Sequence, residues 1–180
     1  FFMCHRQIIC RSARSSIGSN PNNHTPCKLK IPIHLYNEIE IHCTAEKLFN
    51  YVTQPWRWHE WHPDSKGARA DKEVLAAGDS FDETIAVQPL LPLPLTITRH
   101  PHYVVRESVP HSTWTAEGTF SDGWLSFRYD IEPRGERALF KRTVEFEVRG
   151  AMRLLVPLVR MKQERKSLVA LAALKRRLET

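Results

Sequence analysis

At 180 residues, with 42% hydrophobic and 26% charged side chains, the chain has room for one domain with a real core and little more. That usage is ordinary for a globular protein, and no apolar run approaches the roughly 18 residues a spanning helix needs, so a soluble chain is expected. The net charge of +6 sits largely at the two ends: residues 1–37 hold no Asp or Glu, and Lys175-Arg176-Arg177 lies in a second basic cluster. No basic stripe interleaved with aromatics joins them, so nucleic acid is not expected as a partner.

Residues 1–32 are rich in Ser, Asn, Arg and Pro and show neither helical nor strand periodicity. They read as a disordered or non-native tail, outside a single domain over 33–180. An Arg- and Ser-rich leader without acids also has the composition of a mitochondrial transit peptide. The compartment expected is the cytoplasm, with the mitochondrion as the alternative if the leader is such a peptide. Cys4, Cys10 and Cys27 fall in this tail and only Cys43 in the patterned part. No CxxC pair occurs, so Cys43 reads as a small buried hydrophobe in a reducing compartment.

From His34 the pattern sharpens. Alternation through Ile39-Glu40-Ile41 predicts a strand, Thr44 an N-cap, and Ala45 to Val52 a helix with apolar side chains at helical spacing. Pro55 breaks that helix, and Gln54-Pro55-Trp56-Arg57-Trp58-His59-Glu60-Trp61-His62-Pro63 follows as a short second helix or loop. Strands are then expected over Phe81–Val87, Leu93–Arg99, Tyr103–Val109, Ser112–Phe120, Trp124–Ile131 and Arg137–Val148, parted by short turns that argue for an antiparallel meander. From about Ala151 to Glu179 a long helix is expected, with its stripe at Leu154, Leu158, Met161, Leu168, Leu171, Leu174 and Leu178. The only partner for that stripe is the sheet.

This order resembles the helix-grip superfamily, often labelled SRPBCC, which includes START domains, polyketide cyclases and dehydratases, and lipid-transport proteins. The words that carry the resemblance are Ile39-Glu40-Ile41, Thr44-Ala45-Glu46-Lys47-Leu48-Phe49-Asn50-Tyr51-Val52-Thr53, Trp61-His62-Pro63, Gly78-Asp79-Ser80-Phe81 and Leu174-Lys175-Arg176-Arg177-Leu178-Glu179. It implies an α+β helix-grip fold, a curved antiparallel sheet of about seven strands wrapped around the long C-terminal helix, with an apolar cavity between them. Fold alone does not fix chemistry.

Strand parity gives the inward-facing residues independently. Phe81, Glu83, Ile85 and Val87 share a face; so do Tyr103, Val105, Glu107 and Val109; Trp114, Ala116 and Phe120; Leu125, Phe127, Tyr129 and Ile131; and Phe140, Arg142, Val144, Phe146 and Val148. The candidate ligand contacts are therefore Trp58, Trp61, Phe81, Glu83, Ile85, Glu107, Trp114, Phe127, Tyr129, Arg142, Val144, Phe146, and Leu158 and Met161 from the helix. Arg142 either bridges Glu83 or Glu107 or orients a polar group of a ligand. Trp58 and Trp61, three residues apart, share a face as packing anchors or as ligand contacts.

His59 and His62 have a spacing that would suit a metal, but HEWH falls one residue short of the zincin pattern and no third ligand is near. No Gly-x-Ser-x-Gly and no Gly-rich phosphate loop occurs. No catalytic residue, metal or cofactor is assigned. The expected function is binding of a small hydrophobic molecule of lipid, polyketide or aromatic type. The alternatives are a cyclase- or dehydratase-like enzyme using the same cavity, and a membrane-associated lipid or quinone carrier suggested by the basic ends and Gln88-Pro89-Leu90-Leu91-Pro92.

Overall fold

A computed structural model describes residues 32–88, 96–121, 123–149 and 156–180. The elements run β1 (Ile33–Ile41), α1 (Ala45–Val52), a 3-10 helix (Pro55–Glu60), β2 (Ser65–Ala70), β3 (Ser80–Val87), β4 (Ile97–Arg99), β5 (His102–Val109), β6 (Thr113–Phe120), β7 (Gly123–Arg134), β8 (Arg137–Val148) and α2 (Val156–Leu178). The strands form one antiparallel sheet in the order β1-β8-β7-β6-β5-β3-β2, with β4 beside β3. This is the α+β helix-grip arrangement: seven strands on one path, two short helices after the first, and a long C-terminal helix. Residues 1–31, 89–95, 122 and 150–155 lie outside the described residues, and with them most of the expected Pro-Leu loop, Leu154 and the expected start of the last helix.

Local chemistry sets the helix ends. The Lys47 amide donates to Thr44 Oγ1 at 3.1 Å, making Thr44 the N-cap of α1. Trp58, on the 3-10 helix, donates its indole N–H to the Val52 carbonyl at 2.8 Å and so satisfies an acceptor at the end of α1. Its ring meets Phe81, Tyr103, Trp114, Phe127 and Tyr129 edge-on, with centroids 5.1 to 6.5 Å away. Those five come from β3, β5, β6 and β7, so Trp58 pins four strands from one point.

Two stretches depart from the sequence-based reading. β2 was not expected, because SKGARA has only alanines as apolar residues and is broken by a register shift at Gly67, whose φ is +125°. In β5 the register with β6 slips between Val105 and Glu107, so Arg106 is an extra residue and parity inverts beyond it. Tyr103 and Val105 stay buried, while Val109 emerges to 46% exposure.

Gly118 is the cross-strand partner of Tyr103. A Cβ there would lie 2.2 Å from Tyr103 Cε1, so only glycine lets that ring lie flat on β6.

Candidate functional site

Between the sheet and the N-terminal half of α2 lies a cavity of about 180 Å³. Its walls are mostly hydrocarbon: Leu35, Ile85, Val87, Leu125, Phe127, Val144 and Phe146 from the strands, Phe120 at the end of β6, Val159 from α2, and Trp58 and Trp61. Strand alternation puts these side chains on one face, and α2 covers them.

Besides Gln88, Arg99 and Lys162, which also line it, the cavity has a polar cluster built around Arg142. Arg142, buried on β8, donates from Nη1 to Ser167 Oγ at 3.0 Å and from Nη2 to His62 Nε2 at 3.1 Å. A guanidinium only donates, so His62 Nε2 holds a lone pair and its proton sits on Nδ1. Burial, with the charges of Arg142 and Lys166, holds the imidazole well below the usual histidine range, in agreement with the neutral form. The Ser167 hydroxyl in turn donates a hydrogen bond to Asn37 Oδ1 at 2.5 Å, which ties α2 to β1. Lys166 is ion-paired with the buried Asp64, which also meets Gln163 Nε2 at 3.5 Å.

Glu83 stands on the same inner face, only 5% exposed. Burial pushes its carboxyl up to about 7, against the pull of the Ser65 and Tyr103 hydroxyls and the Arg142 charge. Burial likewise pushes the Tyr129 phenol up to about 12, and Tyr103 well above the ordinary value with Glu83 adding to the effect. At neutral pH this cavity therefore holds one carboxyl near its midpoint, two neutral phenols, a neutral imidazole and a charged guanidinium.

Residues 32–179 match the family described as polyketide cyclase / dehydrase and lipid transport. The chain belongs to that family. Among solved structures it is similar to a START superfamily protein from Mycobacterium smegmatis, with 16% identity, 81% of this chain and 97% of that one covered, and a TM-score of 0.61. It is also similar to the Zhui aromatase/cyclase from a Streptomyces species, with 12% identity, 83% and 94% covered, and a TM-score of 0.65. A truncated norcoclaurine synthase from Thalictrum flavum follows at 12% identity, 84% and 96% covered, and 0.54. At these identities the likeness is one of fold. No curated protein sequence matches the chain.

Within this cyclase and lipid-transport fold, Trp58, Trp61, Glu83, Ile85, Phe127, Tyr129, Arg142, Val144 and Phe146 all reach the cavity wall. Phe81 and Trp114 face the same way but pack behind it, 2% and 0% exposed in the aromatic cluster. Glu107 does not face inward. The β5 register slip turns it to the outer face, where its carboxylate takes a 2.8 Å bond from Arg128 Nη1. Met161 is also misplaced by the sequence reading: it is 46% exposed, and Leu158 is half-buried away from the cavity wall. The face of α2 that meets the cavity instead carries Val159, Lys162, Gln163, Lys166 and Ser167, at helical spacing with the buried Ala170, Leu171 and Leu174.

No ion pair joins Arg142 to Glu83 or Glu107. Its partners are the neutral Ser167 and His62, with the Trp61 ring 6.0 Å from its guanidinium carbon. Sequence reasoning assigned His62, Asp64, Lys166 and Ser167 no place in the cavity. The signal for the last two was there, since they share a helical face with Gln163 and Ala170. His59 and His62 diverge: His59 is exposed against the Trp56 carbonyl, and His62 turns inward to Arg142.

Proposed function

We propose that residues 33–180 form one ligand-binding domain that holds a small, largely apolar molecule between the sheet and α2. The observation that carries this reading is the cavity itself, walled largely by hydrocarbon with a polar cluster around Arg142. An apolar cavity of about 150 Å³ is known to accept a benzene ring, so one or two fused rings, or a short branched chain, suit this space. Filling the cavity from within gives the test. Val144→Trp should abolish the thermal stabilisation that naphthalene-sized hydrophobes give the native protein, while the variant remains folded by circular dichroism. Equal stabilisation of variant and native protein would place binding elsewhere and remove the proposal.

A second reading, proton-transfer catalysis on the bound molecule, is favoured by one observation: Glu83 lies near its midpoint at neutral pH, buried beside Tyr103. Incubation with cell extract followed by native mass spectrometry separates the two, since an unmodified retained ligand supports a binder and turnover lost in Glu83→Gln supports an enzyme. The free, buried Cys43 supports a reducing compartment such as the cytoplasm. No helix among the described residues is long and apolar enough to cross a membrane.

A further inference from the structure

The charges around the cavity do not balance, and the imbalance identifies what the ligand must carry. Among the described residues four cations line the cavity, Arg99, Arg142, Lys162 and Lys166, and the two beside Ser167, Lys166 and Arg142, differ in what meets them. Lys166 is neutralised by Asp64. Arg142, 6% exposed, donates to the Ser167 hydroxyl and the His62 imidazole with the Tyr129 phenol beside it, and its Nε–H has no hydrogen-bond partner. A buried cation without a counter-ion costs several kcal/mol, a penalty that an arriving anion would offset. The indole N–H of Trp61, buried in the same wall, is likewise without a partner, so a second donor is at hand.

We propose that the molecule held in this cavity bears a carboxylate, which docks on Arg142 while its apolar body lies against Phe127, Val144 and Phe146. This rests on the ligand-binding reading and narrows it from any small hydrophobe to an amphipathic organic acid. The one remaining carboxyl that could compete is Glu83 on β3. Facing it are Ser65 and the buried Asp64 from the start of β2, Tyr103 from β5, Tyr129 from β7 and Arg142 from β8; His62 and Lys166 face Arg142 from the 3-10 helix end and from α2. When Glu83 is protonated, Arg142 has no anion and the site is open to one. When Glu83 ionises, its charge acts on Arg142 from within the protein and repels an incoming carboxylate. Binding of the acid is therefore coupled to uptake of a proton by Glu83, and weakens as pH rises.

The matched pair 2-naphthoate and 2-naphthamide isolates the charge at nearly constant shape. Isothermal titration of the native protein near pH 6.5 should show naphthoate binding about tenfold or more tighter than the amide, the size of one charge-assisted hydrogen bond. Arg142→Gln should erase that preference, so that the variant binds the two compounds with equal affinity. Raising the pH from about 6 to 8 should weaken naphthoate several-fold and the amide not at all, and Glu83→Gln should remove this pH dependence. The pH series needs no change at Arg142 and so stands even if Arg142→Gln does not fold. Equal affinity of the native protein for both compounds would overturn the carboxylate assignment and leave the cavity reading intact. If neither compound binds, both readings fall.

Discussion

Toward its C-terminus α2 sends Ala170, Leu171, Leu174 and Leu178 into the same apolar cluster as Ile41, Leu48, Val52 and Phe140. One turn earlier the same helical face offers Lys162, Gln163, Lys166 and Ser167 to a cavity. The C-terminal half is fastened at its end as well, by Lys175 Nζ on the Glu40 carbonyl at 2.7 Å and Lys47 Nζ on the Leu178 carbonyl at 2.8 Å. The N-terminal half meets the sheet through Ser167, which links Arg142 to Asn37, and through Lys162, whose ammonium donates to the Gln88 carbonyl at 2.7 Å. One helix thus divides dry packing from the cavity: its C-terminal half is held in the core, and its N-terminal half faces Arg142 of β8, whose Nε–H has no partner.

Substitutions can break this division, beginning with the largest effect. Trp58→Ala removes the ring that five others meet and the bond to Val52, and should cost about 3–5 kcal/mol in urea unfolding. Leu174→Ala, in the dry half, should cost about 2–5 kcal/mol, against about 1 kcal/mol for Ser167→Ala in the polar half. Comparable losses at the two positions would erase the distinction between the halves.

Glu83 sharpens the comparison through pH. Its carboxyl is raised from the ordinary 4.5 to about 7 in the folded protein, so between those values the unfolded chain is ionised while the native one keeps its proton. Stability should therefore be fully retained below pH 4.5 on this group's account and fall as pH rises to 7, by up to about 3 kcal/mol. Glu83→Gln should flatten that slope in denaturation curves taken across the window. A slope of the opposite sign would mean that the carboxyl is paired. The smallest effect is expected at Leu168, 60% exposed on the outer face of α2, where Leu168→Ala should stay within about 0.5 kcal/mol of the native protein.

Where side chains simply alternate, the sequence shows which of them face the cavity. Arg142 falls in phase with Phe140, Val144 and Phe146, and β8 runs unbroken through them, so its inward aim is legible from parity alone. Glu107 fails the same test because one extra residue, Arg106, inverts β5, and nothing in Tyr-Val-Val-Arg-Glu-Ser-Val marks the slip. Met161 and Leu168 mislead for another reason. Hydrophobicity marks the covered face of a helix only where the covering surface is dry, and the half of α2 over the cavity presents lysines, glutamine and serine instead. β2 left no trace because its short, alanine-bearing sequence gains its place from the neighbouring β3 and not from its own pattern. Long-range partners such as His62 with Arg142, 80 positions apart, exist only once the sheet has curled.

The bare backbone of Gly118 has a consequence for how binding preference could change over time. Tyr103 lies on it, and the phenol in turn forms part of the cavity wall. A single methyl group at 118 would lift that ring inward and make the chamber shallower, without altering any residue that touches the occupant. Replacing glycine by alanine takes one nucleotide change, so the length of molecule accepted can drift at a codon whose product is hidden from every ligand.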